Sequence, residues 1–330
     1  MTYQVAIGHS DIAFPAESGE TVLDAAERAG YSLPYSCRKG VCSTCEAGLR
    51  AGTVEIGPRS IEAPASAVLL CRAKPISDVV VHPRRIERRD AAATKVIDAW
   101  VFRRHWPTDD VAALLLRFPV SIRARFKAGQ YLRIISSDGT ARNFSLANPP
   151  QESDGAQLHI RHIEGGRFSE AVLEHLRLGD RVKIEIPFGD FFLREDTERP
   201  IICIATGAGF APIKSILEYL IRRDSTRRVR FYWSGRQARD LYMRELPEKW
   251  ARKLPWFDFV PVLTASDASW SGRKGLVHRA VLEDVPDLSN FQVYACGNPL
   301  MIRKARADFT REAGLPEDQF FAEPFVLTGT

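Results

Sequence analysis

The 330-residue sequence predicts a multidomain chain in which an α+β part, an antiparallel β-barrel and a doubly wound parallel α/β sheet follow one another. Three observations predict this order. Four of the six cysteines fall between residues 37 and 71, the middle of the chain consists of short alternating runs, and the last part alternates strand-like and helix-like segments. The predicted boundaries are 1–82, a linker at 83–91, then 92–195 and 200–330.

The composition is that of a globular protein, with 45% hydrophobic and 26% charged residues. A net charge of +5 is small for this length and does not indicate nucleic-acid binding, which usually shows as a concentrated basic patch. Apolar runs fall far short of the roughly 18–20 residues of a membrane span. The N-terminus lacks a basic start followed by an apolar core, so we expect a reducing cytoplasm, where cysteines serve as ligands or reactive thiols rather than in disulfides.

The basic, Pro-containing segment His82–Arg89 is interpreted as a linker, and the polar segment Arg194–Pro200 as a second boundary. Between them, apolar and polar residues alternate in short runs separated by Gly, Pro, Asp and Asn, which predicts an antiparallel barrel. The predicted strands are Lys95–Arg103, Val111–Phe118, Gln130–Ile135, Gln157–His162 and Arg181–Ile186. One helix, Glu170–Arg177, is expected to interrupt them, capped by Ser169 and ended by Gly179.

The last part is predicted to be a βαβ series and therefore a parallel sheet with helices on both faces. The predicted strands are Ile201–Ala205, Val229–Trp233, Phe257–Leu263 and Gln292–Ala295, and the predicted helices are Ala211–Arg223, Asp240–Lys253, Val277–Glu283 and Pro299–Ala313.

Cys37, Cys42 and Cys45 have the spacing C-x4-C-x2-C, and Cys71 follows after 25 intervening residues. This is the plant-type spacing for a [2Fe–2S] cluster, in which a compact loop supplies three thiolates and a distant residue supplies the fourth. Backbone N–H groups of such a small loop can approach the sulfurs and adjust the reduction potential. Zinc is the alternative for four thiolates, but this loop spacing is unusual for zinc.

The segment Tyr35–Cys45 resembles the cluster loop of plant-type ferredoxins, and Leu70–Arg72 resembles their closing strand. The resemblance implies a β-grasp ferredoxin fold for the first part, with Val22–Ala29 as its helix. It also implies that the four cysteines are the metal ligands.

Two motifs in the barrel could together bind one cofactor. Arg142, Asn143, Phe144 and Ser145 lie where a barrel strand is expected to end, and Gly165-Gly166-Arg167-Phe168-Ser169 opens the predicted helix. A helix N-terminus preceded by glycines binds a pyrophosphate, and Arg142 can pair with the same charge. Phe144 can stack on an isoalloxazine ring, and the Ser145 hydroxyl can lie near the reactive flavin nitrogen.

Together these motifs resemble the ferredoxin–NADP reductase superfamily, whose flavin motif is Arg-x-Tyr-Ser or Arg-x-Phe-Ser. Phe126–Tyr131 also matches the barrel of that family. Because the ferredoxin-fused members carry FAD rather than FMN, the resemblance implies FAD here. It assigns Arg142, Asn143, Phe144, Ser145, Gly165, Gly166 and Ser169 to flavin binding, with Ser145 also at the reacting centre.

A glycine-containing loop follows the first strand of the last part, at the place where a parallel sheet binds dinucleotide phosphates. Its residues are Thr206, Gly207, Ala208, Gly209, Phe210, Ala211 and Pro212. Pro212 stands where the usual fingerprint has a third glycine, so the loop resembles the Gly-x-Gly-x-Ala-Pro loop of the reductase family instead. That resemblance assigns Thr206, Gly207, Gly209 and Pro212 to nicotinamide-dinucleotide binding.

Besides Ser145, three residues are expected at the hydride-transfer point. Cys296, followed by Gly297-Asn298-Pro299, resembles the family cysteine that lies against the nicotinamide ring. Glu323 and Phe325 resemble the Glu-x-aromatic ending of the superfamily, in which the aromatic ring covers the flavin and the glutamate lies near the cysteine. Gly297 is assigned to cofactor binding.

The choice between NADH and NADPH depends on the end of the second strand of the last part. Arg236 could bind a 2′-phosphate, whereas Asp240 could bind a ribose hydroxyl, so the residues leave both open. Ferredoxin-fused relatives mostly use NADH, which is the expectation here.

The whole chain resembles ferredoxin-fused NADH reductases in the order cluster, FAD, NAD. Asp11–Pro15, Ala147–Gly155 and Gly165–Ser169 look closest to reductases of terephthalate-type Rieske dioxygenases. The implied electron path runs from NADH through FAD to the cluster. The cluster then passes electrons one at a time to a partner oxygenase or its ferredoxin, in aromatic catabolism. A reductase for CDP-6-deoxy-glucoseen deoxygenation is the alternative, and a non-turnover redox sensor is an alternative of another class. A monomer is expected.

Overall fold

The computed structural model describes residues 1–89, 94–136, 139–163, 173, 176–265 and 270–326. The predicted helix Glu170–Arg177 and the glycines before it fall almost wholly outside these residues. The chain divides into two compact units, residues 1–93 and 94–330.

The first unit is a mixed sheet covered by one helix, as the β-grasp prediction requires. The helix α1, Val22–Arg28, begins at Thr21, whose hydroxyl accepts the Asp24 N–H. Its buried face packs under the sheet with Val5, Phe14 and Leu49. The strands are β1 Thr2–Ile7, β2 Ala13–Glu17, β3 Tyr31–Ser32, β4 Glu46–Ala51, β5 Thr53–Ile56, β6 Arg59–Glu62, β7 Ala65–Leu69, β8 Lys74–Pro75, β9 Val79–Pro83 and β10 Glu87–Arg88.

The main sheet of this unit has the order β2-β1-β9-β4-β7. Strands β1 and β9 are parallel and the other neighbours are antiparallel. The segment predicted as a linker is partly ordered, because β10 pairs with β3.

The second unit begins with a six-stranded antiparallel sheet of order β14-β13-β16-β11-β12-β15. Its strands are β11 Lys95–Thr108, β12 Val111–Arg117, β13 Tyr131–Ile135, β14 Ala141–Ser145, β15 Gly155–Arg161 and β16 Arg181–Phe188. An isolated bridge between Leu146 and Leu158 joins the two edge strands and closes the sheet into a barrel. Alternate apolar residues of these strands fill the interior.

A six-stranded sheet of order β20-β19-β18-β17-β21-β22, parallel throughout, completes the unit. The strands are β17 Ile201–Thr206, β18 Val229–Gly235, β19 Phe257–Leu263, β20 Arg273–Lys274, β21 Gln292–Gly297 and β22 Phe320–Pro324, and the helices are α2 Phe210–Arg222, α3 Glu245–Lys253, α4 Val277–Asp284 and α5 Pro299–Ala313. Two apolar clusters pack on its faces, as in a doubly wound fold.

The last part of the chain differs from its prediction in one helix and in its strands. The helix predicted from Asp240 begins at Glu245, because a short 3-10 turn, Ala238–Asp240, precedes it. The last strand, β22, was not predicted, although it carries Glu323. Within the described residues, no helix is long and apolar enough to cross a membrane.

Candidate functional site

The four clustered cysteines lie in the first unit and are all buried, between 3% and 8% exposed. None of the four forms a disulfide. Cys37 is hydrogen-bonded through its side chain to Cys42, and Cys45 to Cys71. Two pairs of sulfurs side by side suit two iron atoms, each bound by two thiolates, so the donor set fits a [2Fe–2S] cluster.

The loop is shaped so that its backbone faces the sulfurs. Arg38, Gly40 and Ser43 have φ values of 53°, 76° and 56°, in the left-handed region. The Lys39 N–H donates to Cys37 Sγ at 3.3 Å. The hydrogen bond between the two side chains lowers the pKa of the Cys37 thiol and raises that of Cys42, so the pair shares a proton, and backbone N–H groups further favour the Cys37 thiolate.

Arg38 holds this loop against the helix and was not singled out in the sequence. Its Nη1 lies 2.6 Å from Asp24 Oδ1, a second nitrogen pairs with Glu27, and the guanidinium lies 4.5 Å from the Tyr35 ring centroid. These contacts stabilise a backbone conformation that a non-glycine residue adopts at a cost. Its position directly after Cys37 could have identified it from the sequence as a residue that supports the cysteine loop.

The predicted flavin strand is β14, which ends at Ser145 as expected. Because side chains alternate along a strand, Arg142 and Phe144 share one face and Asn143 and Ser145 the other. Arg142 is half-buried and donates to the Ala141 carbonyl oxygen at 3.0 Å. Phe144 is half-buried against the barrel core. A guanidinium and an aromatic ring on one half-buried face fit a pyrophosphate and a flat ring system.

Gly165, Gly166 and Ser169 lie outside the described residues, so their predicted flavin contacts are not placed.

The loop after β17 is anchored from three sides. Thr206 Oγ1 accepts the Asn298 N–H at 2.7 Å, and Trp233 Nε1 donates to the Gly207 carbonyl oxygen at 3.0 Å. A Cβ on Gly209 would lie 2.5 Å from the Cys296 carbonyl oxygen, so only glycine fits there. Pro212 lies in the first turn of α2, where no N–H is needed. The helix N-terminus therefore follows a rigid, close-packed loop.

Cys296, Gly297, Glu323 and Phe325 come together at the adjacent strand ends. Cys296 and Glu323 are register partners on β21 and β22, and the Phe325 N–H donates to the Gly297 carbonyl oxygen at 2.7 Å. Gly297 has a φ of 117°, and a Cβ there would lie 2.2 Å from Thr206 Oγ1. Burial and the Glu323 charge raise the pKa of the Cys296 thiol.

Arg236 lies exposed at the end of β18, as predicted. Asp240 is turned into its own loop, where Oδ2 accepts the Arg236 and Gln237 N–H groups at 2.7 and 3.0 Å.

Sequence reasoning missed Arg161, at the end of β15. Its Nη1 lies 3.4 Å from the point where a Cβ on Gly207 would stand, and its Nη2 lies 2.8 Å from Asp110 Oδ2. A barrel arginine therefore lies beside the loop of the parallel sheet. Local sequence carries no signal for it, because the proximity is tertiary.

Three family models match successive parts of the chain. The 2Fe-2S iron-sulfur cluster binding domain matches residues 5–75, the oxidoreductase FAD-binding domain residues 102–193 and the oxidoreductase NAD-binding domain residues 203–307. These matches confirm the fold class and the three cofactors predicted from the sequence. They define an NAD(P)H-dependent iron–sulfur flavoprotein oxidoreductase.

The chain is similar over its whole length to named reductases. Terephthalate 1,2-dioxygenase, reductase component 2, from Comamonas sp is 40% identical, over 100% of this chain and 99% of that protein. The CDP-6-deoxy-L-threo-D-glycero-4-hexulose-3-dehydrase reductase of Yersinia pseudotuberculosis is 37% identical, over 99% of each. The crystal structure of an Amycolatopsis cytochrome P450 reductase superimposes with a TM-score of 0.75 at 30% identity, covering 98% of this chain and 99% of that one.

The chain therefore belongs to the family of ferredoxin-fused NAD(P)H reductases. The predicted resemblance to terephthalate dioxygenase reductases and to CDP-6-deoxy-hexulose reductases is confirmed.

Proposed function

We propose that this reductase transfers electrons from NADH, through FAD and a [2Fe–2S] cluster, to the oxygenase component of a Rieske-type aromatic-ring dioxygenase or to its ferredoxin. The proposed partner rests on 40% identity over the full length with a terephthalate dioxygenase reductase. An aromatic carboxylate is the proposed substrate class of the complete system. The proposal includes a monomeric protein in a reducing cytoplasm, which keeps its thiols available for iron.

Bound FAD would supply a group that can take up two electrons together from NADH and release them singly, as a one-electron cluster requires. Cys37, Cys42, Cys45 and Cys71 are the proposed ligands of the cluster. Burial by itself favours their protonated form, so the ligating thiolates depend on backbone N–H donors such as that of Lys39 and on the bound metal.

Arg142, Asn143, Phe144, Ser145, Gly165, Gly166 and Ser169 are the proposed flavin contacts. Arg142 supplies positive charge for the pyrophosphate, and Phe144 supplies an apolar ring face on the same side of β14. Ser145 ends the strand and offers its hydroxyl to the reacting edge of the ring.

Thr206, Gly207, Gly209, Pro212 and Gly297 are proposed to form the dinucleotide cradle, with Arg236 at its ribose end. Cys296 offers an uncharged thiol to the nicotinamide, since burial and Glu323 raise its pKa. The Phe325 N–H donates to the Gly297 carbonyl oxygen, which holds its ring where it would cover a bound flavin. The Asp240 carboxylate accepts from the backbone N–H groups of Arg236 and Gln237, so the proposed NADH preference rests on the family resemblance and not on a ribose contact.

Anaerobic titration with NADH, followed by absorbance and low-temperature EPR, tests the electron path. We expect the flavin absorbance to bleach and a rhombic signal of the reduced cluster to appear. A bleached flavin without a cluster signal would show that the first unit is outside the path.

The CDP-hexulose reductase at 37% identity makes sugar deoxygenation the second candidate. The two are separated by supplying the reduced protein with a purified Rieske oxygenase or with a CDP-sugar dehydrase and measuring product. Steady-state NADH-to-cytochrome c activity, if it is observed, would exclude a non-turnover sensor.

A further inference from the structure

One strand of the barrel forms a polar seam with the NAD-binding part. Gln157, His159 and Arg161 alternate along β15 and therefore share one face. Gln157 Oε1 accepts from Lys214 Nζ on α2 at 3.0 Å, His159 Nδ1 lies 2.8 Å from the Tyr242 hydroxyl, and Arg161 lies beside Gly207. The middle member of this row is the least exposed of the three.

His159 is buried at a cost. It is 6% exposed, and Tyr242 is 8% exposed. Its Nε2 is fully enclosed and has no hydrogen-bond partner among the residues that the structure describes. A leucine at this position would avoid the desolvation of that nitrogen, so stability alone does not account for the histidine. The hydrogen bond to Tyr242 is what the imidazole supplies.

Tyr242 connects His159 to the nicotinamide side. Its ring stands edge-on to Trp233, with centroids 5.2 Å apart at 89°. Trp233 in turn donates to the Gly207 carbonyl oxygen in the phosphate loop. Tyr242 also packs in the same apolar cluster as Cys296. A displaced Tyr242 would therefore disturb both the loop and the cysteine.

The same strand connects His159 to the flavin side. Its neighbour Leu158 bridges to Leu146, which directly follows Ser145 at the end of β14. The backbone of β15 is thus fixed to the flavin strand, and its His159 side chain is fixed to the nicotinamide side.

We propose that His159 is a positioning residue whose hydrogen bond to Tyr242 sets the alignment of the nicotinamide side with the flavin side for hydride transfer. The inference rests on the proposed function, because this alignment matters only when hydride passes between the two sites. Small misplacements of reacting groups lower rate far more than they lower binding.

Three variants of the holoenzyme test this by anaerobic stopped-flow reduction of the flavin over a range of NADH concentrations. Tyr242→Phe removes only the hydroxyl, His159→Leu removes the imidazole, and His159→Asn keeps a polar group near the place of Nδ1. In the first two we expect the limiting rate of flavin reduction to fall about tenfold while the Kd for NADH changes by less than about threefold. His159→Asn should recover to within about threefold of the wild type.

Ser215→Ala is the matched control, because Ser215 Oγ makes another buried hydrogen bond between the two parts, donating to the Asn148 carbonyl oxygen at 2.7 Å. It should leave the limiting rate unchanged. NADH deuterated at the transferred position should give an isotope effect in every variant, which shows that the hydride step is measured.

A limiting rate in Tyr242→Phe within about twofold of the wild type overturns the proposal, as does an equal loss in Ser215→Ala. If His159→Leu fails to fold, the limiting rate of Tyr242→Phe, which keeps the aromatic ring, still tests the proposal. A wild-type flavin that NADH does not reduce refutes the proposed function instead, and so the two failures are distinguishable.

Discussion

Cys296 and Glu323 face each other across two neighbouring parallel strands, as register partners of β21 and β22. The thiol is fully buried and the glutamate is 7% exposed. Burial, and after it the Glu323 charge, raise the pKa of the thiol, so it stays protonated. A protonated thiol is a small, polarizable and uncharged group, suited to lie against a flat ring.

Cys296→Ala is therefore expected to slow flavin reduction by NADH on the order of 10–100-fold, because the ring loses a contact that orients it. The FAD content should stay at the wild-type level, since Cys296 is not among the proposed flavin contacts. Stopped-flow absorbance gives the rate, and the ratio of flavin to protein absorbance gives the content.

Cys203→Ala is the control for this substitution. Cys203 is also fully buried but lies within β17, away from the strand end. It should leave flavin reduction unchanged. Loss of FAD from Cys296→Ala, or equal slowing in Cys203→Ala, would contradict the placement of Cys296.

Cys42→Ser should remove the visible absorbance and the EPR signal of the cluster, because a hydroxyl replaces a buried thiolate ligand. Flavin reduction by NADH should continue at the wild-type rate, since the flavin and NAD residues lie in the other unit. Loss of the cluster signals together with flavin reduction would show that the two units do not fold independently. The same sample serves as its own control, because both signals are read from it.

The sequence predicts helix ends well where the caps are local. The helix Pro299–Ala313 is predicted to the residue, because Asn298 caps it, Pro299 opens it and Gly314 ends it with a φ of 66°. The start of α3 is missed because Asp240 caps a separate turn through its own backbone contacts. Tertiary contacts such as Arg161 beside Gly207 leave no local pattern to read.

Arg161→Ala should weaken NADH binding, because the variant removes a positive charge beside the proposed phosphate loop. We expect the Kd for NADH to rise about 5- to 30-fold, equivalent to roughly 1–2 kcal/mol, with a smaller change in limiting rate. Arg117→Ala is the matched control. Arg117 is a barrel arginine of similar exposure that pairs with Asp154, away from the loop. An unchanged Kd in Arg161→Ala would remove Arg161 from the site.

His159 also predicts how stability depends on pH. Burial, with smaller effects from Lys214 and His105, lowers its pKa from an ordinary 6.5 to about 3. The Tyr242 hydroxyl, 2.8 Å from Nδ1, also faces the imidazole. In the unfolded chain His159 takes up a proton below pH 6.5, whereas in the folded chain it stays neutral until about pH 3. Stabilisation of the fold from this group is therefore complete above pH 6.5 and is lost as the pH falls.

Between these two pKa values the unfolded state binds nearly one proton more than the folded state. The free energy of unfolding should therefore fall by up to about 1.4 kcal/mol per pH unit. Urea unfolding of wild type and His159→Asn at several pH values between neutral and mildly acidic isolates it, because all other titrating groups are common to both proteins. The wild-type free energy of unfolding should fall relative to the variant as the pH decreases. If the difference in free energy of unfolding between the two proteins stays constant with pH, the pKa of His159 is not lowered in the folded chain.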